Sequence, residues 1–119
     1  MIQVTNHARV FVAVEPADFR CGIDGLARVC KAVLKQEPMS GSLFVFRNRR
    51  ATAVKILAYD GQGFWLCQKR LSENRFRHWP DGTGPATTLE AHQLHVLLSG
   101  GDPEHAKGAP KWRPITVSA

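Results

Sequence analysis

Eight cationic side chains crowd into the segment 47–77: Arg47, Arg49, Arg50, Lys55, Lys69, Arg70, Arg75 and Arg77. Only Asp60 and Glu73 oppose them, so the segment carries the same +6 as the whole chain of 119 residues. The rest of the chain sums to zero. Arginine suits phosphate because its planar guanidinium donates two parallel hydrogen bonds. Rings are interleaved with these cations, Tyr59 among them, and a base stacks on an aromatic face whatever its identity. The expected partner is a polyanion, most simply nucleic acid. The expected nucleic-acid-binding residues are Arg47, Arg49, Arg50, Lys55, Tyr59, Lys69, Arg70, Arg75 and Arg77. The competing account is solvated charge, since exposed strands and sheet edges are commonly protected by lysine and arginine.

Other chemistry has weaker support. Asp18, Asp24 and Asp60 would suit a Mg²⁺-dependent nuclease, in which paired carboxylates hold the ion for phosphodiester cleavage. Each also has a simpler role: a helix cap or an ion pair with Arg20 for the first two, an Asp-Gly turn for the third. His92 and His95 stand three apart on a predicted helix, but no cysteine or second histidine pair lies nearby to complete a zinc site. Cys21, Cys30 and Cys67 are odd in number, with no Cys-x-x-Cys pair, and read as small thiols in a reducing compartment. Gly22 and Gly25 lack the remaining positions of a phosphate loop. The expectation is a protein without a catalytic residue, a metal or a cofactor.

The elements that must position the cations are legible from periodicity. Residues 8–14 read as a first strand, ended by Pro16. Apolar residues at Ile23, Leu26, Ala27, Val29, Cys30, Val33 and Leu34 form the stripe of an amphipathic helix over 23–36. Three strands follow at 42–47, 53–60 and 64–71, the second pair joined by Asp60-Gly61-Gln62-Gly63, where glycine permits a tight hairpin. A fourth run, 75–79, is predicted to complete an antiparallel meander. Thr87 and Glu90 have capping-box spacing and are predicted to open a second helix reaching Ser99. The predicted class is α+β, with a curved antiparallel sheet of about five strands in the order β-α-β-β-β-β-α. The sheet is expected to curve, far enough that closure toward a small barrel is one outcome, with two helices beside it.

Within the central hairpin, an odd-sum register separates two faces. Val54, Ile56, Ala58, Trp65 and Cys67 share the face expected to form the core. Lys55, Leu57, Tyr59, Phe64, Leu66, Gln68 and Arg70 share the face expected to hold the ligand. The two groups of cations, Arg47/Arg49/Arg50 and Lys69/Arg70/Arg75/Arg77, are expected at opposite ends of the hairpin.

Composition fits one ordinary globular domain, with 44% hydrophobic and 22% charged residues. The expected domain is 1–101, with an extended tail over 102–119 in which Trp112 and Ile115 are the residues able to dock. No run approaches the roughly 20 apolar residues of a membrane span, and the start lacks a secretory pattern, so a cytoplasmic, membrane-free protein is expected.

Four motifs in register carry a resemblance. Asp18-Phe19-Arg20-Cys21-Gly22-Ile23-Asp24-Gly25-Leu26 is the first and Gly41-Ser42-Leu43-Phe44-Val45-Phe46-Arg47-Asn48-Arg49-Arg50 the second. The third pairs Lys55-Ile56-Leu57 with Asp60-Gly61-Gln62-Gly63-Phe64. The fourth joins Lys69-Arg70-Leu71, Arg75-Phe76-Arg77 and Trp79-Pro80. Over residues 9–100 the chain resembles the small accessory protein, often called TnpB, encoded by the second reading frame of the sixty-six family of bacterial insertion sequences. It departs from that family at Cys21, where a basic residue is usual, at Phe19, where methionine is usual, and in a longer tail after Gly101. The resemblance implies a role in transposition beside a separate transposase that cuts the strands. It transfers no catalytic or binding residue. DNA and the transposase are therefore the expected partners. The alternative is a pure protein-interaction module that grips an acidic transposase surface without touching DNA.

Overall fold

The structure, a computed structural model, describes residues 9–105. Strand β1 (Val10–Ala13) leads through helix α1 (Ile23–Ala32) to β2 (Leu43–Arg47), β3 (Ala53–Tyr59) and β4 (Phe64–Arg70). Then come β5 (Ala86–Leu89), helix α2 (Ala91–Leu98) and a short 3-10 turn at Pro103–His105. The five strands form one sheet in the order β4-β3-β2-β1-β5. The class is α+β, as expected, but the sheet is open rather than barrel-like.

β2, β3 and β4 are the antiparallel meander. β1 differs: it pairs parallel with β2 and antiparallel with β5. A parallel pair needs a crossover of a dozen or more residues, and the α1 segment supplies it. The Val-Phe-Val-Ala run of β1 and the Leu-Phe-Val-Phe run of β2 are buried throughout. Continuous rather than alternating apolar sequence is what a strand covered on both faces requires.

Two apolar layers result. On one face, Val10, Val12, Leu43, Val45, Val54 and Ala58 pack with Phe76 and with Leu94 and Leu97 of α2. On the other, Phe11, Ala13, Phe44, Phe46 and Leu57 pack with Leu26, Cys30 and Leu34. Each fully buried Phe or Leu of these layers contributes roughly 1.5–3 kcal/mol of transfer free energy. Helix α1 ends earlier than the periodicity predicts. Lys35 takes a left-handed conformation (φ 57°), and Gln36 N–H donates to Cys30 O at 2.9 Å. Leu34 stays buried beyond the helix end.

Two local expectations are corrected. Residues 75–79 alternate like a strand but do not join the sheet. Instead Phe76 and Trp79, three apart around a turn, both pack on the first apolar layer, with ring centroids 6.2 Å apart. Trp79 Nε1 also donates to Ala13 O at 2.8 Å. The fifth strand is Ala-Thr-Thr-Leu, 86–89, and it takes in Thr87, where the capping-box spacing to Glu90 predicts a helix start. β-branched Thr87 and Thr88 suit a strand, and the helix opens at Glu90, whose N–H donates to Gln93 Oε1 at 2.8 Å. Past α2, Pro103 is buried and its carbonyl accepts from Gln93 Nε2 at 3.2 Å. Trp112 and Ile115 lie outside the described residues.

Candidate nucleic-acid interface

The odd-sum register of the hairpin is observed: Val54 faces Lys69, Ile56 faces Cys67, Ala58 faces Trp65, and Lys55 faces Gln68. What changes is the role of each face, because helices and loops cover both. Leu57 is fully buried under α1. Trp65, expected in the core, is 46% exposed on the outer strand, with Nε1 donating to Asp60 Oδ2 at 2.7 Å.

Strand direction places the cations. β2 runs toward the 48–52 turn, β3 runs away from it, and β4 returns to it, so Ala53 is paired with Arg70. The turn bearing Arg49 and Arg50 and the strand end bearing Lys69 and Arg70 are therefore at the same end of the sheet. They were expected at opposite ends, an assignment that overlooked the reversal through β4. Leu71 N–H donates to Thr52 O at 2.9 Å, and Phe76 N–H to Ala51 O at 2.7 Å, which brings Arg75 and Arg77 to that end as well.

The turn is braced from within. Asn48 Oδ1 accepts from Thr52 N–H at 2.8 Å and Ala53 N–H at 3.2 Å, while its Nδ2 donates to Thr52 Oγ1 at 2.9 Å. Arg47, half-buried, donates from Nη1 to the carbonyls of Asn48 and Arg49 at 3.2 and 3.3 Å. Arg47 and Asn48 thus hold the loop that presents Arg49 and Arg50. Sequence reasoning treated Arg47 as a ligand contact and passed over Asn48, although asparagine opening a turn is a recognisable signal.

Arg49, Arg50, Arg70, Arg75 and Arg77 are all exposed. Among the described residues, none of them lies within ion-pair distance of a carboxylate; the arginine ion pair there is Arg20 with Asp18 at 2.8 Å. Lys69 is exposed too, with Nζ donating to Leu98 O at 2.6 Å. A groove of about 470 Å³, lined by Pro16, Ala17, Asp18, Phe19, Arg20, Asn48 and Arg49, adjoins the turn.

Two expected members lie elsewhere. Lys55 points to the α1 side, is 8% exposed, and donates to the carbonyls of Phe19 and Cys21 at 2.9 Å each. Its ammonium sits 4.9 Å from the Phe19 ring centroid. A cation so engaged braces the loop before α1 and has no reach to a ligand. Tyr59 is at the far end of the sheet, its ring 5.0 Å from that of Phe64.

Asp18 and Asp60 occupy the simpler roles, and Asp24 stands in the first turn of α1, whose N-cap is Gly22. Arg20 grips both oxygens of Asp18 and holds that carboxyl down to about 2. Asp60 accepts from the N–H groups of Gln62 and Gly63 at 2.9 and 3.0 Å and from Trp65, and these bonds lower its pKa in that order of size. Gly61 within that turn has φ 98°, which an L side chain rarely adopts. Asp60 is at the sheet end opposite the arginines, whereas Asp18 directly follows Ala17, whose N–H donates to Arg47 O at 2.9 Å at the arginine end. Among the described residues no three His, Cys, Asp or Glu groups are placed to share a metal ion, and no helix is long and apolar enough to cross a membrane.

Comparison with known proteins supplies a biological setting. The chain is 41% identical over 117 residues to "Uncharacterized protein y4hO" of Sinorhizobium fredii (strain NBRC 101917 / NGR234), covering 98% of this chain and 99% of that one. It is 32% identical over 118 residues to "Uncharacterized protein y4jC" of the same strain, covering 99% and 100%. No solved structure matches it. The sequence model described as "IS66 Orf2 like protein" matches residues 8–108. With the four motifs in register over the matched residues, the chain belongs to the IS66 Orf2-like family of transposition-associated accessory proteins.

Proposed function

We propose that this accessory protein binds duplex DNA through the arginine-bearing end of its sheet, and that in transposition it bridges DNA and a separate transposase without catalysing strand cleavage itself. One observation carries this reading: five exposed arginines, Arg49, Arg50, Arg70, Arg75 and Arg77, converge on one end of the fold with no carboxylate in ion-pair range among the described residues. Unpaired guanidinium groups held on a braced turn are ready donors to phosphate oxygens, and they lose no internal partner on binding.

The electrostatics set a measurable scale. Five neutralised phosphates give a log–log salt slope of about −4 to −5 on duplex DNA. Fluorescence anisotropy with transposon-end and random duplexes across a salt series measures it. Arg49→Ala with Arg50→Ala should make the slope shallower by about two units. A wild-type slope near −1, or no binding at low salt, overturns the DNA reading.

The second reading is a protein-interaction module whose arginine end meets an acidic transposase surface. The same exposed, unpaired arginines favour it. In that case transposase pull-down is lost in the double variant, while DNA affinity is weak and unchanged.

A further inference from the structure

β4 is an outer strand of the sheet, and it runs seven residues without proline, glycine or a break in its register with β3. The bonds Leu71 N–H to Thr52 O and Asp60 N–H to Gly63 O fix the phase of that antiparallel ladder. Odd-numbered residues of β4 turn their peptide groups to β3; Phe64, Leu66, Gln68 and Arg70 turn theirs outward. Such an edge is a template for another strand, and natural proteins normally blunt it. Here the cations stand at one end and the rings at the other. Lys69, the residue best suited to guard the edge, is drawn back to Leu98 O at 2.6 Å.

We infer that β4 pairs antiparallel with β4 of a second copy of this chain, about a two-fold axis through Cys67. The residue order Phe-Trp-Leu-Cys-Gln-Lys-Arg is self-complementary in that register. Phe64 falls opposite Arg70 of the second copy, Trp65 opposite Lys69, and Leu66 opposite Gln68. Each cationic residue then lies opposite a ring-bearing one, and no like charges are opposed. Sliding the register until Lys69 meets its own copy, or running the strands parallel, brings cations together.

The outward peptide groups also fit. Pairs 64/70 and 66/68 exchange backbone hydrogen bonds, which leaves 65/69 and 67/67 as the closer, non-hydrogen-bonded pairs. All three side chains Trp65, Cys67 and Lys69 project from the same face in both copies. The two Cys67 residues then have Cα atoms about 4.5 Å apart, within disulfide range. The joined sheet has ten strands, and its two arginine ends point in opposite directions. This pairing does not depend on the DNA reading.

Sedimentation of the full chain over a concentration series tests it, with an expected mass approaching twice 13.2 kDa. Gln68→Pro removes one outward N–H and leaves the β3 ladder whole, so it should return the monomer. Diamide, which takes the two thiol hydrogens and becomes a hydrazine, should join Cys67 of the two copies. Cys21→Ser with Cys30→Ala keeps that cross-link; Cys67→Ser removes it. In the Cys67→Ser background, a mixture of Trp65→Cys and Lys69→Cys chains should cross-link severalfold faster than either alone. A monomeric mass at every concentration, as expected for an edge kept free or reserved for a foreign strand, overturns the inference. Cross-linking that ignores position does the same.

Discussion

Phe76 donates its backbone N–H to the carbonyl of Ala51 at 2.7 Å, and through that bond the 75–77 segment is tied to the turn that carries Arg49 and Arg50. The Phe76 ring, 3% exposed, goes inward to the α2-side layer while the arginines on either side stay in solvent. One residue therefore anchors two cations.

Removing that anchor should affect stability and binding together. Phe76→Ala deletes a buried ring and leaves a cavity, at a cost of about 3–5 kcal/mol. Urea unfolding measures the loss. In the folded fraction, DNA affinity should fall as it does in Arg75→Ala with Arg77→Ala; unchanged affinity would separate the segment from the interface.

Lys55→Met should destabilise the fold by roughly 1–3 kcal/mol, because the carbonyls of Phe19 and Cys21 lose their donor. DNA binding and its salt slope should be untouched once the protein is folded. A reduced slope would return Lys55 to the interface.

Asp60 gives the far end of the sheet an acid limit. Its folded pKa is depressed below 3.8, chiefly by the backbone N–H of Gln62, so the stability it contributes is present above the unfolded value and is lost as pH falls through the folded one. In a Trp79→Phe, Trp112→Phe background, Trp65 emission should titrate with a midpoint below 3.8, and Asp60→Asn should abolish that step. A midpoint at the ordinary carboxylate value contradicts the bonded geometry.

Cys30 gives an alkaline limit. Burial pushes its thiol up from 9.0 to about 12. The unfolded chain ionises first, so the contribution is whole below pH 9 and declines as pH rises toward 12. Thermal melts of wild type and Cys30→Ala should show the wild-type advantage shrinking over that window. A thiol-specific disulfide reagent should reach half-buried Cys21 and Cys67 in the native state, and Cys30 only on unfolding.

Much of the fold is visible in local sequence because period and turn chemistry are local. The α1 stripe, the 53–60 and 64–71 strands, their odd-sum register and the Asp-Gly turn all follow from residue types a few positions apart. Segment 75–79 shows where that ends. Its alternation matches a strand, yet a strand exists only with a partner edge, and the burial of Phe76 and Trp79 took precedence. Segment 86–89 shows the converse: four residues of modest propensity become a strand because β1 offers an edge. Lys55 was misplaced for a related reason. Alternation gives the face of a side chain, but not whether a helix covers that face.

The amino-acid sequence alone determined the family, the α+β class and a +6 concentrated in one segment, since composition, motif spacing and short-range periodicity are properties of the chain itself. Only the tertiary structure decided which cations stand together. The return of β4 brings Arg70 beside the 48–52 turn, and the Phe76–Ala51 bond draws Arg75 and Arg77 there, while Lys55 and Tyr59 are carried elsewhere. Proximity between residues distant in sequence is set by strand direction and by which rings reach the core, and neither is encoded in any short window.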